Sequence, residues 1–383
     1  MAPDSEAPAE MHMYFPGLRA LNMAENATHN FHNLLPFRGS QVRNALAWSG
    51  YINEALALWG ADVQVLMGQH HWPVWDNVRV TTYLTEQRDL YKYVHDQTVR
   101  LMNHGLGPAE IAETIRMPAS LEGAWHTRGY YGHYRHNAKA IYQRYLGWYD
   151  GNPANLDPLP PVETARKMLE YMGGAAAVLA RARGDLTKGE FRFAAQVLAH
   201  VVFAEPGNIE ARGLLADAFE QLGYLSESAT WRNAYLFGAH ELRLGMPAVP
   251  ARSPVSLDTV MAMRTSQFFD YLAVRLNGPK AEGRHIILNW RFTDTSETFV
   301  LNLENGALTH SAGRQDPMAH VSLRLNRSTL STIMQQTVTF AEAIAAGSIV
   351  VTGDATKLAE LMGLIDEFKR MFEIVTPKPV LAT

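Results

Sequence analysis

Two proline clusters decide what this chain can fold into, because proline removes a backbone donor and interrupts helices and central strands alike. The first, DGNPANLDPLPP at Asp150–Pro161, holds four prolines, and the second, MPAVPARSP at Met246–Pro254, holds three. They divide the 383 residues into segments of about 150, 90 and 130, each of ordinary domain size. A hydrophobic content of 47% against 19% charged residues supports buried cores and excludes disordered or collagen-like classes.

Charge excludes one class of partner. With 34 basic and 38 acidic residues the net charge is −4, so no cationic excess exists to neutralise a nucleic-acid backbone. Cysteine is absent, so any metal must be held by His, Asp or Glu. No apolar run reaches the length of a membrane span, and the opening MAPDSEAPAEMHMYF is acidic and proline-containing. Neither an export signal nor stable membrane insertion is expected.

The middle segment has helical periodicity. Ala165, Met168, Leu169 and Met172 repeat at helical spacing up to Gly173-Gly174; Phe191, Ala194, Ala195, Leu198 and Val202 form a second stripe, and Ala211, Leu214, Leu215, Ala218 and Leu222 a third. Gly189 and Gly223, Phe191 and Leu225, and Ala195 and Ala229 each recur at the tetratricopeptide period, which suggests TPR-like hairpins as an alternative to a plain helical bundle. The third segment switches to strand periodicity in Arg284–Phe292, Glu297–Leu303, His320–Leu325 and Ile349–Thr352. Asn305-Gly306 marks a hairpin turn, and a long helix is expected through Leu358, Leu361, Ile365, Phe368 and Phe372. The sheet and its helices enclose either a solid core or a lipid slot.

Chemistry concentrates in the first segment, which holds ten of the fifteen histidines and six of the eight tryptophans. No phosphate loop, nucleophile elbow or H-E-x-x-H occurs. Glu6 in SEAPAEMHMYFP, Glu25 in MAENATHNFHNL and His70-His71 in GQHHWPVW instead fall in stretches without helical or strand period, where loops carry ligands. Those stretches, with RGSQVRNALAWSGYINEAL and RGYYGHYRHNAKAIYQRYLGWYDGNPANL, resemble the bacterial alkylsulfatases of the metallo-β-lactamase superfamily, similar to enzymes that hydrolyse dodecyl sulfate. The resemblance extends from about Glu6 to about Lys378.

It implies an α+β multidomain chain: part of a metallo-β-lactamase αββα sandwich over residues 1–100, an α-helical, TPR-like dimerisation domain over 101–248, and an α+β domain similar to sterol carrier protein 2 over 254–383. The implied activity is zinc-dependent hydrolysis of alkyl sulfate esters, with a homodimer joined through the helices. Glu6 then matches a ligand of the first of two zinc ions, Glu25 the carboxylate bridging both, and His70 a ligand of the second. Arg38 matches the sulfate-binding arginine with Asn33 beside it, while His133 and Tyr131 resemble groups near the leaving sulfate; His71 supports or packs.

The family also carries a H-x-H-x-D-H run supplying four more ligands, and this chain lacks it; His133-Tyr-Arg-His136 has the wrong spacing and no aspartate. Three ligands of seven imply reduced zinc occupancy, low activity of this chain alone, and poor folding of residues 1–75 in isolation. Such a chain is expected to be a C-terminal portion of a longer protein. Family members are often periplasmic or secreted. A second reading, from another class, is a non-catalytic dimerising protein that binds a lipid or detergent in its C-terminal domain; a peptide-binding TPR adaptor is a third.

Overall fold

Short apolar runs flanked by turns pair into a four-stranded sheet near the start of the chain. In the computed structural model, which describes residues 1–248, 257–335, 337–368 and 371–378, β1 (Met13–Phe15) runs antiparallel to β2 (Ala20–Asn22). Strand β2 runs parallel to β3 (Val65–Met67), and β3 antiparallel to β4 (Val74–Trp75). A parallel neighbour requires a crossover, which α1 (Ala45–Trp59) supplies. Asn44 caps α1 by accepting the Ala47 N–H at 3.0 Å, and Trp48, Ile52 and Ala55 fall on one buried face. That face packs on α2 (Asn77–Asn103), whose Val80, Leu84, Tyr91 and Val94 are fully buried.

Leu21, Met23, Phe31, Leu34 and Trp48 share one core with these α2 residues. The apolar residues of the opening 75 positions thus complete their core with α2. The expected domain division after residue 100 falls inside α2, which runs unbroken to Asn103. Three helices follow: α3 (Pro108–Thr114), α4 (Ala119–Glu122) and α5 (Tyr134–Leu146).

Helices α6 (Pro161–Met172), α7 (Ala175–Lys188), α8 (Phe191–Ala204), α9 (Ile209–Leu225) and α10 (Ala229–Leu244) pack together, with α6, α7 and α9 against α8 and α10 against α9. Pro161 occupies the first turn of α6, where its missing N–H costs nothing, and Gly173 ends that helix at φ 87°. The periodic repeat is only partly structural. Helices α7 and α9 begin 34 residues apart, whereas α8 and α10 begin 38 apart. Gly189 accordingly terminates a helix, while Gly223 lies buried inside one, with Leu236 3.0 Å from where a Cβ would sit.

The chain divides into two compact units, residues 1–245 with 373–377 and residues 246–372 with 378–383. Most of the second proline cluster, residues 249–254, lies outside the described residues. In the second unit, α11 (Leu257–Ala262) and α12 (Thr265–Val274) precede β5 (Ile286–Phe292), β6 (Thr298–Glu304), β7 (Ala307–Ala312) and β8 (Val321–Leu325). Next come α13 (Arg327–Met334), α14 (Phe340–Ala345), β9 (Ile349–Gly353) and α15 (Ala355–Gly363). The sheet order is β7-β6-β5-β8-β9, with only β5 and β8 parallel. Asn305 and Gly306 both take positive φ, 53° and 70°, as the tight β6–β7 turn requires. Inward residues Leu288, Trp290, Phe299, Leu301 and Leu323 meet Phe269, Leu330 and Leu361 from the helices in one core.

The expected long terminal helix stops at Gly363. Residues just beyond are drawn into backbone pairing instead: Asn277 donates to the Leu364 carbonyl and Asp366 to that of Arg275, both at 2.8 Å. Phe368 is left 63% exposed. Among the described residues no helix is long and apolar enough to cross a membrane.

The segment 373–377 docks within the first unit by one charge. Glu241 of α10, 2% exposed, accepts the N–H groups of Ile374, Val375 and Thr376 and the Thr376 hydroxyl at 3.0–3.2 Å. Hydrogen bonds to a charged group contribute about 1.5–3 kcal/mol each. Glu241→Ala is expected to speed amide exchange at residues 374–376 by tenfold or more while α8 and α9 keep their protection. Unchanged exchange there would contradict the docking role.

Candidate metal centre

Parallel pairing of β2 with β3 places the two chain segments that matter side by side. The register Asn22↔Met67 continues past the strands, with Met23 N–H donating to the Met67 carbonyl at 3.0 Å and Gln69 N–H to the Ala24 carbonyl at 3.0 Å. Gly68 allows this approach, since a Cβ there would lie 2.8 Å from the Ala24 carbonyl oxygen. Glu25 and His70, 45 positions apart, therefore emerge together, and His70 Nε2 lies 2.9 Å from Glu25 Oε1. His32 Nε2 approaches the other oxygen, Oε2, at 3.3 Å.

Glu6 arrives from the opening loop. Its N–H reaches Asn26 Oδ1 at 3.4 Å, and its carboxylate accepts from the Arg43 guanidinium. Ligand atoms of Glu6, Glu25 and His32 all lie within 4.8 Å of one another, the one such group among the described residues. Among the described residues, three of the seven non-glycine positions with positive φ, Asp4, Ala24 and His71, lie within two residues of Glu6, Glu25 and His70, so the backbone is bent next to these side chains.

The electrostatics follow from these contacts. His32 first, then His70, hold the Glu25 carboxyl down at about 2, against burial acting the other way. Burial pushes the nearby Glu10 carboxyl up, with the charges of Glu6 and Glu25 adding to it. The site thus gathers three carboxylates, two imidazoles and one guanidinium. The rings of His29, Tyr83 and His126 follow one another in tilted contact, with centroids 5.0 and 4.3 Å apart.

The structure brings Glu25 beside Glu6 and beside His70, but the ligand atoms that cluster within 4.8 Å are those of Glu6, Glu25 and His32, with His70 touching Glu25 alone; Tyr131 lies close, its ring meeting that of His32 edge-on at 4.9 Å. Asn33 is buried and engages through its carbonyl, which accepts from Arg43 at 2.7 Å. Arg38 is exposed on the loop beside Gly39, with no hydrogen bond or ion pair among the described residues. His133 caps α5: its Nδ1 accepts the Arg135 N–H at 3.1 Å, and its ring stacks on Trp231 at 4.4 Å, facing the α8–α10 groove rather than the carboxylates. Sequence reasoning missed His32, Arg43 and Glu10. His32 had a signal, being the second imidazole in the same MAENATHNFHNL stretch, whereas Arg43 next to a helix cap had none.

With this geometry in view, comparison with known proteins is specific. Residues 107–245 match the family described as alkyl sulfatase dimerisation, and residues 253–377 that described as alkyl sulfatase C-terminal. A linear primary-alkylsulfatase of a Pseudomonas strain is 32% identical over 94% of this chain and 70% of its own length. The chain belongs to the alkylsulfatase family. Another member, the alkyl/aryl-sulfatase BDS1 of Saccharomyces cerevisiae, is 50% identical over 98% of this chain. The solved stereoselective inverting sec-alkylsulfatase Pisa1 from Pseudomonas sp. superposes with a TM-score of 0.94 at 45% identity, covering 99% of this chain and 60% of that one. This alkylsulfatase-family chain spans 58% of the length of the yeast protein. The mixed α+β architecture with a helical dimerisation segment is the one the sequence resemblance implied.

His133 provides a pH test of the loop next to the centre. Burial, then Arg135, lowers its pKa from the ordinary 6.5 to about 4, and protonation would also remove the acceptor that caps α5. Because the folded value lies below the unfolded one, the unfolded chain takes the proton first. Stability from this source is intact above about 6.5, falls as pH drops towards about 4, and is level below that. His133→Asn keeps a capping acceptor but does not titrate. Urea unfolding at about pH 7 and about pH 5 is expected to show a larger loss in the wild type than in the variant; equal losses would contradict it.

Proposed function

We propose that this chain serves the hydrolysis of alkyl sulfate esters to alcohol and sulfate, holding a dication at Glu6, Glu25 and the flanking imidazoles His32 and His70. The observation that carries the reading is Glu25: one carboxylate oxygen faces each imidazole, with a second carboxylate alongside, in a chain of this family. Carboxylate oxygen and imidazole nitrogen are the donor types zinc takes where thiolates are absent. A dication at such a centre supplies Lewis-acid polarisation of the ester and of water.

The chain's own groups bind and orient. Arg38 offers a planar, uncommitted guanidinium whose fork suits two sulfate oxygens, and Asn33 precedes it on the same loop. Tyr131 braces His32, and Gly132 lets that loop approach, since a Cβ there would lie 2.6 Å from the Phe31 carbonyl oxygen. His133 enters only through the loop it anchors. The helices α6–α10 form the homodimer surface that the dimerisation family suggests. The group Glu6, Glu25 and His32, with His70 beside Glu25, suits one ion; a second ion would require donors beyond those gathered among the described residues, so turnover by the chain alone is expected to be low.

Calorimetric titration of the metal-free chain with zinc is expected to show about one ion bound per chain, consistent with four-coordinate zinc chemistry. Sulfate release from dodecyl sulfate should be confined to loaded samples and lost on chelation, and Glu25→Gln should abolish both binding and release. Release that persists in the chelator would contradict a metal-dependent centre, and no zinc uptake at micromolar concentration would contradict the centre altogether.

A further inference from the structure

One guanidinium links the parts of the cluster that are far apart in sequence. Arg43, whose side chain is 10% exposed, donates through Nη2 to Glu6 Oε1 and through Nη1 to the Asn33 carbonyl at 2.7 Å, and Nη1 lies 3.1 Å from His32 Nδ1. Its backbone is fixed at the same place: Arg43 N–H donates to the Leu34 carbonyl and Asn44 N–H to that of Asp4, both at 2.9 Å. The side chain therefore leaves a rigid helix start and ends among the candidate ligands.

Arginine carries N–H donors and no acceptor, so its approach to His32 Nδ1 requires a lone pair on that nitrogen. The ring proton then resides on Nε2, the atom that faces Glu25 Oε2 at 3.3 Å. The other tautomer would direct Nδ1–H at the Asn33 carbonyl 3.2 Å away. That carbonyl already accepts from Arg43 at the shorter distance, and the imidazole N–H would oppose a guanidinium N–H. Trp48 and Tyr131 pack on the His32 ring at 5.5 and 4.9 Å, which keeps the imidazole from turning over.

We infer that Arg43 is a positioning residue: it fixes metal-free His32 as the Nε2–H tautomer aimed at Glu25, and it holds Glu6 by one oxygen so that the other stays free. The tautomer stands on the metal-free geometry alone; its consequence for zinc rests on the proposed function. A dication at His32 Nε2 would take the place of that proton, and a neutral ring would then carry its proton on Nδ1, so Arg43 would have to release Nδ1.

The test uses the full chain with nitrogen-15-labelled histidine, the His32 signal being assigned from its loss in His32→Gln. Metal-free wild type is expected to show the Nε2–H tautomer, and an Nδ1–H tautomer would overturn the inference without any further variant. Arg43→Met, which keeps the apolar stem and removes the fork, is expected to show mixed tautomers at His32 in the metal-free chain. An unchanged tautomer would overturn it. If Arg43→Met fails to fold by near-ultraviolet dichroism, Arg43→Lys decides: it keeps the charge but not the fork, so the tautomers should still mix, and a wild-type pattern would overturn the role. Wild type that shows the Nε2–H tautomer but takes up no zinc would sink the proposed function and leave Arg43 as the device that orients His32.

Discussion

The parallel pairing of β2 with β3 is the constraint on which the site depends. Its register sets Asn22 beside Met67, and two further backbone hydrogen bonds carry that alignment to Ala24 and Gln69. Glu25 and His70 then have to meet, because the spacing between them equals the spacing of the paired strand residues. A slip by one residue would turn every strand side chain to the other face and separate carboxylate from imidazole. The strands are only three residues long, so most of the stability of that register comes from α1 and α2, which bury Leu21, Trp48 and Tyr91 in one core.

Bringing like charges together this way has a cost, and the contacts show how it is met. Glu6, Glu10 and Glu25 converge in a partly buried place, where unpaired carboxylates would be expensive. Glu25 is relieved by His32 and His70, Glu6 by Arg43, and Glu10 by holding its proton more tightly. The same pairing that stabilises the fold leaves ligand atoms of Glu6, Glu25 and His32 within 4.8 Å of one another. Local bends at Asp4, Ala24 and His71 accompany that convergence, consistent with strain concentrated where function resides.

Residue type and local pattern made part of this legible beforehand. The Asn305-Gly306 turn, the α6 start at Pro161 and its end at Gly173 obey backbone rules that a short window contains. Glu6, Glu25 and His70 stood out because they interrupt periodicity and match a family pattern. Arg43 did not, because its role arises from loops that meet only in three dimensions, and Arg38, conspicuous in sequence, lies exposed on a loop. The terminal helix was overextended for a related reason: apolar spacing continues through Phe368, but backbone pairing of residues 364–366 with 275–277 competes and wins. The apparent 34-residue repeat aligned a helix-ending glycine with one inside a helix, which composition alone does not distinguish.

The central claim, that these carboxylates and imidazoles form one dication centre, is tested most directly by anomalous diffraction at the zinc edge from crystals of the chain grown with zinc. The account predicts a single strong peak bounded by Glu6, Glu25 and an imidazole nitrogen of His32 or His70, at about 2.0–2.2 Å from each donor. A map without a peak there, with Glu25 still hydrogen-bonded to both imidazoles, would contradict it.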